Sequence, residues 1–129
     1  SDQSRKINLL MVDDEKEFVQ TLSERLEMRD MASQMAFDAA SALDRVRLDS
    51  PEIMVIDLKM PGMHGTEVLK KVKALSPEVQ VIILTGHGDA QDEKECMSLG
   101  AFAYLNKPVD IDVLSETIKE ANKKAQETN

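Results

Sequence analysis

Three aspartates, a threonine and a lysine stand where this chain could do chemistry. Asp13 and Asp14 close the apolar run Ile7-Asn8-Leu9-Leu10-Met11-Val12, and Asp57 closes Ile53-Met54-Val55-Ile56. Thr85 ends Val81-Ile82-Ile83-Leu84, and Lys107 follows Ala101-Phe102-Ala103-Tyr104-Leu105. Polar groups that each terminate an apolar segment are not scattered surface charge. In an open parallel sheet they converge at the carboxyl ends of the strands, where ligands bind. Carboxylates brought together repel and raise one another's pKa unless a cation neutralises them. Hard oxygen ligands with open positions suit Mg²⁺, which keeps some waters and takes a phosphate oxygen as ligand. A lysine and a hydroxyl opposite the acids suit the remaining phosphate oxygens.

The elements that must position these groups are visible in the hydrophobic period. Short, nearly continuous apolar runs fit strands buried on both faces, hence a parallel sheet covered by helices. They begin near positions 7, 33, 52, 80 and 101, which leaves room for a helix in every gap. Met35-Ala36-Phe37 and the run from Ala101 have the mixed character of edge strands. Phe18, Leu22 and Leu26 recur every four residues, with Val19 beside them. Leu43, Val46 and Leu48 follow Ser41 as an N-cap, and Val68, Leu69, Val72 and Leu75 form a stripe that stops before Pro77. A less apolar helix runs from about Asp89 to Leu99 with Gly100 as its C-cap, and Ile111, Leu114, Ile118 and Ala121 mark the last. Asp14, with Glu17 three residues on, also has the spacing of a capping box for the first helix. Strand-helix alternation implies right-handed crossovers and a three-layer α/β sandwich. The domain spans 7–124, with 1–6 and 125–129 expected to be flexible.

Composition excludes several roles. A length of 129 residues suits one domain. With 24 acidic against 16 basic side chains the net charge is -8, which repels nucleic acid and anionic membrane surfaces. Tryptophan is absent, so base-stacking platforms are not expected. A single cysteine, Cys96, excludes a disulfide framework within the chain and reads as an inert thiol on a helix. His64 and His87 read as solvated loop residues, and no apolar run approaches a membrane span. Ser1 to Lys6 do not read as a signal peptide, so a cytoplasmic setting is expected.

The pair Asp13-Asp14, the stretch Asp57-Leu58-Lys59-Met60-Pro61-Gly62-Met63-His64-Gly65, Thr85-Gly86 and Lys107-Pro108 resemble, in order and position, the receiver domain of bacterial two-component response regulators. The resemblance runs from about Ile7 to Lys124. It implies a flavodoxin-like fold with a five-stranded parallel sheet in the order 2-1-3-4-5 and five helices. It further implies that Asp57 accepts a phosphoryl group from a sensor histidine kinase or phosphotransfer protein. Asp14 would ligate Mg²⁺ directly, Asp13 largely through water, and Lys59 through its backbone carbonyl, with Asp57 completing the set. Lys107 would pair with the phosphoryl group while the Thr85 hydroxyl moves to bond it. Tyr104 would swing inward with Thr85 and change the surface of the fourth helix, fifth strand and fifth helix, with dimerisation or effector docking as the output. Lys59 and His87 occupy positions that tune the lifetime of the acyl phosphate, and the Lys107-Pro108 bond would be cis. Such a domain catalyses its own phosphorylation and dephosphorylation and is not a turnover enzyme.

Three other readings fit less well. A phosphatase with an aspartate nucleophile wants a second acid two residues on, where this chain has Lys59. A flavin- or dinucleotide-binding module needs glycine or hydroxyl donors after the first strand, where Asp13-Asp14-Glu15 stand instead. A docking module that works without phosphorylation usually lacks one of the key residues, and none is missing here.

Overall fold

A computed structural model describes residues 6–127. Its elements alternate as β1 (Ile7–Val12), α1 (Lys16–Glu27), β2 (Met31–Ala36), α2 (Ala39–Leu48), β3 (Ile53–Ile56), α3 (Gly65–Leu75), β4 (Gln80–Thr85), α4 (Ala90–Ser98), β5 (Ala103–Asn106) and α5 (Ile111–Glu127). All strand pairs are parallel and the order is β2-β1-β3-β4-β5. This is the flavodoxin-like order expected from the resemblance.

The alternation of side chains along each strand divides the core into two layers. Leu10, Val12, Met54, Ile56, Val81 and Ile83 face α2, α3 and α4, meeting Leu43, Val46, Leu69, Val72 and Cys96. Leu9, Met11, Ile53, Val55, Ile82 and Leu84 face α1 and α5, meeting Val19, Leu22, Leu26, Leu114 and Ile118. Burial of each such aliphatic side chain stabilises the fold by about 1.5–3 kcal/mol. With helices on both faces, strands β1, β3 and β4 have no solvated side.

Register fixes the functional edge. Val12 pairs with Ile56, and Ile56 with Ile83, so β1, β3 and β4 run out side by side. The ladder continues one step further: Asp13 N–H donates to Ala36 O at 3.1 Å, Asp57 N–H to Val12 O at 3.1 Å and Lys107 N–H to Thr85 O at 3.0 Å. Strand order reverses at β1, and that switch point opens the crevice in which these residues sit.

Several local expectations are corrected. The N-cap of α2 is Asp38, not Ser41: the Asp38 carboxylate accepts from Ser41 N–H at 2.7 Å. The earlier start lets Ala39 and Ala42 enter the core. Leu48 is 84% exposed, since two residues beyond Val46 is about 200° around the helix. Asp14 does not cap α1; Glu15 occupies that position and makes no side-chain cap bond. Strand β2 begins at Met31 and ends before Phe37, and β5 begins only at Ala103, after Gly100 turns the chain with φ of +101°. The α5 helix continues past Lys124 to Glu127, with Ala125 buried. Residues 1–5 and 128–129, also expected to be flexible, lie outside the described residues.

Candidate functional site

The five polar residues singled out by their strand-end positions meet at one edge of the sheet. Asp13 and Asp57 are 5% and 3% exposed, while Asp14 stands at the solvent rim. One carboxylate oxygen from each of Asp13, Asp14 and Asp57 falls within 4.8 Å of the others. The Lys107 ammonium reaches in from the loop after β5, 2.7 Å from Asp13 Oδ2 and 3.4 Å from Asp57 Oδ2. It also lies 2.7 Å from Glu15 Oε1 and 4.4 Å from the centre of the Phe18 ring. The Lys107-Pro108 peptide bond is cis, as the resemblance implied.

The loop between β3 and α3 is closed tightly beneath Asp57. Leu58 is fully buried, and Gly65 N–H donates to Leu58 O at 2.7 Å. A Cβ on Gly65 would lie 2.6 Å from Asp57 O and 2.7 Å from Leu58 Cα, so only glycine allows this approach. His64 is exposed but is not simply solvated: it is the N-cap of α3, its Nδ1 accepting from Thr66 N–H at 3.2 Å. Lys59 is exposed at the rim, its backbone N–H 3.5 Å from Asp57 Oδ1. His87 is exposed too, and its backbone N–H donates to Thr85 Oγ1 at 3.2 Å.

The electrostatics favour a cation. Burial raises the Asp13 pKa above 3.8, and the Lys107 hydrogen bond offsets this only in part. An acid shifted upward in the fold loses stability as pH rises from its ordinary value through its folded one, so at neutral pH Asp13 is held against its own preference. Burial is also the largest single influence on Lys107 and pushes its pKa down. Hydrogen bonds to Asp13 and Glu15, with the charges of Asp13 and Asp57, outweigh it and carry the pKa above 10.5. The stabilisation given by the ammonium is therefore complete at neutral pH and is lost only as pH climbs above about 10.5. Four carboxylates (Asp13, Asp14, Glu15, Asp57) still face one ammonium. That excess, presented on hard oxygens, fits a divalent metal of the Mg²⁺ type. A void of about 10 Å³ lies beneath Asp13 and Asp57, closed by Phe18, Val19 and Leu84.

Thr85 is fully buried, and Tyr104 turns its hydroxyl in beside it. That hydroxyl is buried with no hydrogen-bond partner among the described residues, and burial pushes its pKa up to about 12. The ring is accommodated by Gly88: a Cβ there would overlap the Tyr104 hydroxyl and approach the Thr85 methyl to 3.1 Å. Gly88→Ala is therefore expected to force the ring outward. The check is loss of the nuclear Overhauser contacts between Thr85 and the chain's one tyrosine. Retention of those contacts in the variant would contradict this packing.

Glu15, Phe18 and Gly88 carry no signal of this role in the sequence, and Gly65 is legible there only as the end of the stretch that begins at Asp57. Phe18 reads only as part of a helical stripe, and Glu15 only as part of an acidic turn. Cys96, read as inert, is buried against the sheet, and burial pushes its thiol up to about 11.

Comparison with known proteins agrees with this geometry. The response regulator receiver domain matches residues 9–119. Sporulation initiation phosphotransferase F of Bacillus subtilis is 33% identical over 111 residues, covering 86% of this chain and 90% of that protein. Transcriptional regulatory protein ZraR of Salmonella typhimurium is 32% identical over 123 residues, covering 95% of this chain but only 28% of the regulator. A receiver domain protein from Methanospirillum hungatei, a solved structure, superposes with a TM-score of 0.92 at 29% identity, covering 97% of this chain and 99% of that one. Sheet order, strand-end acids and these likenesses agree, and the chain belongs to the response regulator receiver domain family.

Proposed function

We propose that this chain is a phosphorylation-activated switch of a two-component system, with Asp57 as the phosphoryl acceptor. The observation that carries this reading is the convergence of Asp13, Asp14 and Asp57 within 4.8 Å, with Lys107 reaching two of them. A carboxylate oxygen of Asp57 attacks the phosphorus of a phosphohistidine on a sensor kinase or phosphotransfer protein. The new O–P bond forms as the N–P bond breaks, and the imidazole nitrogen leaves with the electron pair. Asp13, Asp14, Asp57 and the Lys59 backbone carbonyl would hold Mg²⁺, which would supply charge neutralisation for the transferring group. Lys107 donates to one phosphoryl oxygen and Thr85 Oγ1 to another, breaking the bond from His87 N–H. The chain thus catalyses its own modification without being a turnover enzyme.

The new negative charge at Asp57 is read by the Thr85 loop and passed to Tyr104 on β5. The surface of α4, β5 and α5 then changes for dimerisation or for an effector. Lys59 and His87, both at the exposed rim, flank the approach of water and set how long the acyl phosphate lasts. Among the described residues no helix is long and apolar enough to cross a membrane, which is compatible with a cytoplasmic partner kinase. A docking role without phosphorylation is disfavoured because Asp13, Asp14, Asp57 and Lys107 converge. An aspartate-nucleophile phosphatase is disfavoured by the exposed Lys59 where a second acid is required.

The test is the initial rate of phosphoryl incorporation from acetyl phosphate as Mg²⁺ is varied. A saturable rise with Mg²⁺, abolished by a chelator, is expected, as is altered adduct decay in Lys59→Ala and His87→Ala. A rate independent of Mg²⁺ would contradict the metal's part in this reading.

A further inference from the structure

We propose that Glu15 is a positioning residue for Lys107, holding the ammonium so that its third N–H is aimed at Asp57 and the phosphoryl oxygen that arrives there. The inference rests on the phosphoryl-acceptor reading of Asp57. A lysine ammonium has three donors and no acceptor, on a stem of four freely rotating carbons. Two donors are engaged at short range, with Asp13 Oδ2 and Glu15 Oε1 each at 2.7 Å, while the Asp57 contact is longer at 3.4 Å. The long contact is the one free to be exchanged for a phosphoryl oxygen.

The geometry around Glu15 is built for this. Its backbone N–H donates to Asp13 Oδ1 at 3.0 Å, while the other oxygen of the same carboxylate takes the ammonium. Backbone, Asp13, Lys107 and the Glu15 carboxylate thus close into a ring of three hydrogen bonds. Glu15 stands at the N-cap of α1, where a side chain usually serves the helix amides, yet it makes no cap bond. Its side chain is 61% exposed, so its contact with Lys107 is not forced by packing. Glu15 also lies outside the three-carboxylate cluster that fits a metal. The remaining side of the ammonium is covered by the Phe18 ring at 4.4 Å, a cation–π contact from the next turn of the same helix.

Two effects of Glu15 on the reaction have opposite signs, which makes the proposal decidable. As a bulk negative charge, it would repel an anionic phosphodonor, and its removal would speed acceptance. As a positioning group, its removal would leave Lys107 swinging and slow acceptance. Positioning is assigned the larger effect, because the charge is solvent-screened while the hydrogen bond is short.

The experiment measures phosphorylation of Asp57 by acetyl phosphate as Mg²⁺ is titrated to saturation in the full chain, its Glu15→Ala and Glu15→Gln variants, and each in a Lys107→Ala background. Glu15→Ala is expected to lower the maximal rate about fivefold, with the half-saturating Mg²⁺ concentration unchanged. Glu15→Gln, which keeps an acceptor oxygen, should fall between, and neither change should matter once Lys107 is gone. In parallel, the Lys107 ammonium cross-peak in nitrogen-15 spectra, recorded without phosphodonor, should be present in the natural chain and lost in Glu15→Ala. An unchanged or faster rate in Glu15→Ala, an equal loss in the Lys107→Ala background, or a persisting ammonium peak would each overturn the positioning role. If the natural chain accepts no phosphoryl group, the acceptor reading fails instead, and the ammonium spectrum still decides the geometry around Glu15.

Discussion

Gly65→Ala is expected to destabilise the fold by about 2–3 kcal/mol and to impair the acceptor at the same time. The added methyl would lie 2.6 Å from Asp57 O and 2.7 Å from Leu58 Cα, both backbone atoms that no rotamer change can move aside. Leu58 is fully buried under the site, so the strain is relieved by shifting the segment that carries Asp57. Gly62→Ala is the informative control. Gly62 has φ of +91° and open space around its Cβ position, so only the cost of a left-handed backbone applies, about 1 kcal/mol. Urea unfolding of both variants, with phosphoryl acceptance measured alongside, checks the pair. Equal, small losses in the two would show that the β3–α3 approach is not tight.

Lys107→Ala is expected to lower stability by about 2–3 kcal/mol without metal, because it leaves Asp13 and Asp57 buried with no cation. The value lies at the low end for buried pairs, since the Glu15 side of the ammonium is open to solvent. Two further signs follow. Losing the ammonium raises the Asp13 pKa further, so the deficit against the natural chain grows from about pH 4 toward neutrality and shrinks on acidification. A divalent cation then binds a site with one positive charge fewer, so Mg²⁺ should raise the midpoint of thermal unfolding more in the variant than in the natural chain. Scanning calorimetry with Mg²⁺ or with a chelator, at acidic and neutral pH, reads both. A midpoint insensitive to both pH and Mg²⁺ in the variant would mean that Lys107 does not compensate these carboxylates.

What the sequence made legible follows from what its pattern encodes. Apolar runs on β1, β3 and β4 are unambiguous because both faces of those strands are buried, so the residues that end them stand out. Asp13, Asp57 and Thr85 were visible for that reason, whereas Lys107 follows the mixed edge strand β5 and stood out through its place before Pro108. Edges were blurred where composition is mixed: β2 carries Ser33 and Gln34 and begins at Met31, four residues before its clearest apolar stretch at Met35. The Asp38 cap was hidden because Ser41, three residues on, is an equally good capping type by composition. Glu15 and Phe18 were hidden for a different reason. Their role depends on a lysine 92 residues away from Glu15 in sequence, and no local period records that contact. Gly65 and Gly88 matter through the space they leave for Asp57 and Tyr104, which spacing alone does not reveal.

The most direct test of the central claim is intact mass after incubation with acetyl phosphate and Mg²⁺, for the natural chain and for Asp57→Asn. The account predicts one phosphoryl adduct on the natural chain, absent when Mg²⁺ is chelated and absent in Asp57→Asn. An adduct that survives in Asp57→Asn, or no adduct on the natural chain with Mg²⁺ present, would contradict it.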